Sequence, residues 1–238
     1  MSLSNCIARL TEYYRRHGLA DTTRRAWLAL RRTLLASRMV VFYCDLDPKQ
    51  LVPMNLPKPI KVKRLVALAE LSAEHLQEVT TVWNPKLAER NMRERFAKGA
   101  SLWLILYEDR LAGYGWTLRG NTIEPYYLPL APDDVHFFDF HVFPQFRGKG
   151  LNPMLVSHIV EYLAQTGKGR AFIDVAIWND TQLKSLGKTP FRKLALFRKS
   201  RIFNHGSVSW TNKLVRCGKG EAEEPVNRSL RIVDTNER

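Results

Sequence analysis

A chain of 238 residues suffices for one sizeable domain, or one domain with an appendage, and 45% hydrophobic residues with six tryptophans point to a packed core. No apolar run reaches the roughly 20 residues needed to span a bilayer, Asn5 to His17 carries four charges where a signal peptide would be apolar, and Cys6, Cys44 and Cys217 lie far apart without a CxxC pair or histidine cluster, which argues against a zinc site and fits a reducing cytoplasm. The net charge of +14 suits either a solvated basic surface or a polyanionic partner.

Residues 4–38 read as two helices broken at His17-Gly18-Leu19-Ala20, with Asp21 or Thr22 as an N-cap of the second. Residues 1–39 hold eight arginines against two acids. In the second helix Trp27, Leu30, Leu34 and Leu35 share a face that arginines surround. Such a helix packs its stripe on the domain or, alternatively, lies over 21–38 on an anionic membrane surface. Met39 to Cys44 is strand-like, and Asp47 to Pro59, with four prolines, reads as a linker. The resulting division is a basic helical extension (1–45), a linker (46–59), a main domain (60–214) and a polar tail (215–238).

Within the main domain Ile60–Val66 reads as a strand, followed by helices over 73–83 and 85–98, the second opened by Pro85. Leu102–Tyr107 and Leu111–Leu118 flank Glu108-Asp109-Arg110 as a hairpin. Val135–Phe143 is the next strand, 151–165 a helix, 170–178 a strand, 180–186 a short helix, and 191–197 and 208–214 the last strands. Residues 182–201 carry seven Lys and Arg and no acid.

The turn between strand 135–143 and helix 151–165 reads Val-Phe-Pro-Gln-Phe-Arg-Gly-Lys-Gly-Leu-Asn over residues 142–152. A glycine-rich basic turn that opens a helix is an anion site, because the first helical N–H groups lack intrahelical partners and the dipole is positive there. No Gly-Lys-Ser/Thr follows, so it is not a P-loop, and the third glycine of a dinucleotide fingerprint is missing. With Gln145, Gly148 and Gly150 after Val142 and Pro144, the turn resembles the coenzyme A loop of the GNAT acyltransferase superfamily. The order β-α-α-β-β-β-α-β-α-β-β over residues 60–214 resembles that family too. So do Asn179 at the end of a strand, Lys188, and Phe191 twelve residues after Asn179. Two positions depart from the pattern: Pro190 replaces the family glycine, and Leu186 stands where the family usually carries a tyrosine thought to protonate the departing thiolate.

The resemblance implies an α/β (α+β) fold, a mixed and mostly antiparallel sheet flanked by helices, here with an N-terminal helical extension. It implies transfer of an acetyl or longer acyl group from acetyl-CoA or another acyl-CoA to an amine or hydroxyl by direct attack, without a metal. The acceptor would be a small molecule or an envelope precursor. The donor's pyrophosphate would lie on the backbone of Arg147, Gly148, Lys149, Gly150, Leu151 and Asn152, with side-chain contacts from Gln145, Arg147 and Lys149. Asn179 would meet the pantetheine amide. A backbone N–H near residues 140–143, at Val142, would polarise the thioester carbonyl. His136 stands where several members carry their base, and its ordinary pKa near 6.5 suits proton abstraction.

Simple strand alternation puts Asp139 and His141 on the face opposite His136, as candidates for the acceptor cleft together with Tyr126 and Tyr127. The acidic acyl carrier protein is an alternative donor, met by Lys184, Lys188, Arg192, Lys193, Arg198, Lys199 and Arg201. A non-catalytic module for anionic surfaces is a third reading. The basic clusters lack the aromatic interleaving, zinc fingers or helix-turn-helix of nucleic-acid binders. The expected location is cytoplasmic, with peripheral contact at the inner face of the membrane; oligomeric state is not legible.

Overall fold

The computed structural model describes residues 18–19, 23, 37–51, 53–81, 85–122, 130–167, 169–202 and 205–211, with side chains of the long segments described up to Leu196. Its eight strands are β1 (Ser37–Asp45), β2 (Ile60–Leu65), β3 (Ser101–Tyr107), β4 (Arg110–Arg119), β5 (Val135–Val142), β6 (Arg170–Ala176), β7 (Arg192–Ile202) and β8 (His205–Thr211). Its helices are α1 (Ala73–Thr81), α2 (Pro85–Ala97), α3 (Leu151–Thr166) and α4 (Asp180–Leu186). The expected mixed, mostly antiparallel sheet flanked by helices is what forms. The strand order is β2-β3-β4-β5-β6-β1-β7-β8, and β5 with β6 is the parallel pair.

Strands β3 and β4 are dry on both faces. In β3 the residues from Ser101 to Leu106 are buried, and in β4 those from Leu111 to Leu118. Such runs read as continuous hydrophobic segments instead of alternating ones because helices cover both sides. On one side α2 brings Phe96 edge-on to Trp116, with centroids 5.0 Å apart. On the other α3 brings Tyr162 to Trp103 at 5.2 Å, and Arg64 spans both, stacking over the two rings and donating to the Ser101 and Tyr162 hydroxyls. Helix α3 buries Leu151, Leu155, Val156, Ile159, Val160 and Leu163. Among the described residues no helix is long and apolar enough to cross a membrane.

Two differences from the sequence-based boundaries matter for the site. The run around Met39–Cys44, grouped by sequence with the N-terminal extension, is an interior strand of the sheet. β1 pairs antiparallel with β6 on one side (Val40 with Val175) and with β7 on the other (Val40 with Leu196). Val41 and Phe42 are buried accordingly, and burial with the neighbouring Asp45 pushes the Cys44 thiol up to about 11, an inert packing thiol. The second difference lies in β5, which does not alternate throughout. Its register against β4 slips between Tyr114 and Trp116, so that Asp139 and Phe140 together face Gly115. Asp139 takes up the extra residue at φ 53°.

Glycine is required at two places on β4. A Cβ on Gly115 would enter the Phe140 ring, and one on Gly113 would stand 2.5 Å from the His141 carbonyl oxygen. The remaining expected ends shift by a few residues: β6 stops at Ala176 because Ile177 and Trp178 turn, and β7 runs on to Ile202. Of the expected N-terminal helices, Gly18, Leu19 and Thr23 are described and all three are helical, Gly18 and Leu19 at the expected break, with the Thr23 hydroxyl donating to the Leu19 carbonyl at 3.0 Å; the rest of those helices and the polar tail lie outside the described residues.

Candidate functional site

The hydrogen-bonded ladder between parallel β5 and β6 has three rungs, Val135 with Ala171, His136 with Phe172 and Phe137 with Ile173. Past them β5 bulges at Asp139 and the two strands part. Into this end of the sheet open the 3-10 turn Pro144–Phe146, the turn 147–150 and the N-terminus of α3. Gly148 and Gly150 adopt φ 82° and 71°, left-handed values that an L side chain would resist. Gly150 is the N-cap of α3, gives it no side-chain cap, and no acid follows in the first turn. The positive end of the helix is therefore not countered by its own residues.

A cleft of about 570 Å³ lies here, walled by the end of β5 (Phe140, His141, Val142), the turn (Phe146, Arg147, Gly148, Gly150), the start of α3 (Leu151, Asn152, Pro153) and α4 with its C-terminal turn (Thr181, Gln182, Lys184, Ser185, Lys188). Of the residues expected to hold a donor, Val142, Arg147, Gly148, Gly150, Leu151 and Asn152 are in its wall. Three are not. Gln145 is exposed on the 3-10 turn, and Lys149 turns away to place its ammonium 4.5 Å from the centre of the Tyr107 ring. Asn179 caps α4, its Oδ1 accepting from the Gln182 N–H at 3.2 Å, the work an Asn before Asp-Thr-Gln performs. Asn152 donates to Gln182 (3.1 Å) and to Ser185 (2.8 Å), and so ties α3 to α4 across the cleft floor. The Arg147 Nε–H donates to the Val142 carbonyl at 3.2 Å. Lys184 and Lys188, placed by sequence in a docking cluster, stand at the cleft itself.

His136 is 8% exposed, and its Nε2 lies 3.3 Å from Asp174 Oδ1 on β6. The pair straddles the line along which β5 and β6 begin to part. Sequence reasoning missed Asp174, because the partner comes from a strand 38 positions away. The expectation that Asp139 and His141 face away from His136 is corrected by the bulge. The His136 ring stacks on Phe138 (5.3 Å), Phe138 on Trp116 (6.4 Å), and His141 on Tyr114 (5.7 Å), two residues from Trp116 on the same face. One extra residue in β5 inverts the alternation beyond it, so His136 and His141 share the side on which α1 and α2 pack. Phe137 and Phe140 share the other, 5.9 Å apart. The Asp139 carboxylate pairs with Arg95 of α2 at 2.6 Å, and not with His141. Tyr126 and Tyr127 lie outside the described residues. Leu186, where the resemblance places a tyrosine, is completely buried and has no proton to donate. Among the described residues no group of three His, Cys, Asp or Glu side chains gathers to hold a metal.

Burial pushes the His141 imidazole below its ordinary value, the Arg147 guanidinium adds to this, and Asp139 partly opposes it. Burial lowers His158 likewise, against Glu161. For both, the folded pKa lies below the unfolded one near 6.5, so the unfolded chain binds more protons between the two values. Stability is therefore whole above about pH 6.5 and falls as the pH drops through the folded values. Thermal unfolding from pH 8 to 5 should show this fall, and His141→Gln and His158→Gln should each remove part of it. An unchanged slope in both variants would contradict the burial of these rings.

Residues 68–185 match the family model for the acetyltransferase (GNAT) family. Among solved structures the chain is similar to a GCN5-related N-acetyltransferase from Sphaerobacter thermophilus, at 16% identity over 68% of this chain and 50% of that one, with a TM-score of 0.50. It is similar also to an acetyltransferase from the GNAT family of Colwellia psychrerythraea (12%, 71% and 58%, 0.48). A GCN5-related N-acetyltransferase from Kribbella flavida is a third (11%, 67% and 56%, 0.43). At 16% identity the likeness to the Sphaerobacter protein is one of fold, and the chain spans between 50% and 58% of these three proteins' lengths. A search of curated proteins by sequence finds no significant match.

Proposed function

With residues 68–185 a domain of the GNAT acetyltransferase family, we propose that the protein transfers an acyl group from acyl-CoA to an amine or hydroxyl within a ternary complex. The observation that carries this reading is the opening between β5 and β6, which runs directly into the glycine turn and the uncapped N-terminus of α3. A diphosphate would lie on the left-handed turn at Gly148 and Gly150, against the helix dipole, and the pantetheine arm would follow the parting strands. The thioester carbonyl would then meet backbone N–H groups of β5 beyond the bulge, at Phe140 to Val142, whose dipoles would stabilise the developing charge.

His136 takes the acceptor's proton as the nucleophile attacks, and the Asp174 carboxylate orients the ring and balances the charge it acquires. The thiolate leaves without an acid at Leu186, which a thiol with a pKa near 8.5 permits. The acceptor would approach from the α1 and α2 side, which carries His136, Phe138 and His141.

A carrier-protein donor is the second reading, favoured by Lys184 and Lys188 at the cleft. Salt separates the two, since surface attraction is screened within about 8 Å at physiological ionic strength. A donor KM that climbs steeply with salt favours the carrier. The primary test is thermal unfolding with millimolar coenzyme A or acetyl-CoA. Saturation at 100 times Kd should add about 2.7 kcal/mol, a rise of roughly 5–11 °C for a chain of this size. No rise with either ligand would remove the CoA reading.

A further inference from the structure

Four residues of this chain, Arg95, Gly115, Asp139 and Phe140, are fitted to one another around the β5 bulge. Asp139 holds φ 53° in the middle of a strand. The other described non-glycine residues with positive φ, Glu108 and Asp109, sit in the β3–β4 hairpin turn, where such values are ordinary. Aspartate tolerates this region better than most residues but still resists it. Opposite it Gly115 leaves the space that the Phe140 ring fills. The Asp139 carboxylate is held at 2.6 Å by Arg95 Nη1. The Arg95 guanidinium is itself fixed, lying 5.0 Å from the Trp116 ring centre and 5.3 Å from that of Phe138. The two side chains are 17% and 30% exposed, so water screens the pair little.

We infer that Arg95 is a positioning residue for the donor site: from α2 it latches Asp139 in its left-handed conformation, and the latched bulge turns β5 away from β6 to open the cleft. This rests on the donor-cleft reading above. The bulge is the step at which β5 leaves its ladder with β6, since the last rung is Phe137 with Ile173. It also puts Phe140 and His141 where they line the cleft. Without the latch, β5 relaxes toward regular alternation and the wall at 140–142 moves.

Arg95→Met keeps an unbranched side chain against the two aromatic rings but removes the ion pair. Two readouts on the full chain follow: amide hydrogen exchange over residues 137–143, and coenzyme A affinity by calorimetry. Arg95→Met should exchange faster there, because the loss of one partner strands the other charge, and bind coenzyme A about tenfold more weakly. Arg95→Met with Asp139→Gly should restore both, because glycine adopts a positive φ without a latch. Arg95→Met with Asp139→Ala should not, although it removes the same stranded carboxylate. The idea fails if Arg95→Met exchanges and binds like wild type, or if Gly and Ala at position 139 behave alike. Should wild type not bind coenzyme A, the donor reading falls, and exchange over 137–143 still decides whether Arg95 holds the bulge.

Discussion

His136→Ala should lower kcat by about two to four orders of magnitude, the range that a positioned general base supplies, while the donor's Kd stays within about twofold of wild type. The split follows from where the ring sits. It lies on the three-rung ladder beside Asp174, whereas the donor cleft is built from β5 beyond the bulge, the glycine turn and the helix ends. Asp174→Asn should lie between wild type and His136→Ala, with kcat reduced, because it leaves the ring in place and removes the balancing charge. His141→Gln, a variant of the other histidine on that face, should be much milder. A His136→Ala enzyme that keeps more than about a tenth of its kcat would mean that water or His141 carries the proton.

Gly148→Ala should raise the donor KM by at least about tenfold with kcat little changed, the signature of lost binding that is equal in ground and transition states. Gly148 stands in the cleft wall at φ 82°, and a Cβ there meets no protein atom within 4 Å. The substitution therefore adds backbone strain of roughly 1–2 kcal/mol and a methyl group where the diphosphate would approach. Gly99 provides the control. Its φ is 81°, its Cβ would also meet nothing, and it lies in the turn after α2, away from the cleft. Gly99→Ala should match Gly148→Ala in lost Tm and leave the donor KM unchanged. Equal kinetic effects from both would show that strain, and not occupancy of the turn, weakens the donor.

Much of this arrangement could be read from the residues. The glycine turn announced itself because its basic and glycine residues fall between an apolar strand and an amphipathic helix, and local signals of that kind survive folding. Order and type of the elements from Ile60 onward followed from periodicity for the same reason. What was hidden is non-local. Alternation assigned His141 to the wrong face, because a single inserted residue at Asp139 is a property of the β4–β5 pair. The hint available was an acid in an apolar run opposite a strand with glycines at 113 and 115. Asp174 and Arg95 were invisible as partners, since each reaches its mate from another element. Asn179 shows the opposite case: its local signal, an N-cap before Asp-Thr-Gln, is what the structure displays, whereas the pantetheine contact came from the resemblance.

The interior placement of β1 bears on how the chain can assemble as it is made. β1 is the first of the described strands to be synthesised, yet its neighbours β6 and β7 are among the last of them, Val40 waiting for both Val175 and Leu196. Until then its apolar run must be kept from pairing with a stray edge, and so must β6 from the moment it emerges. Contacts of such sequence separation slow folding through the loop that has to close. A gene cut to begin at Ile60 would therefore deliver a sheet with a gap between β6 and β7, and its product should be found in inclusion bodies.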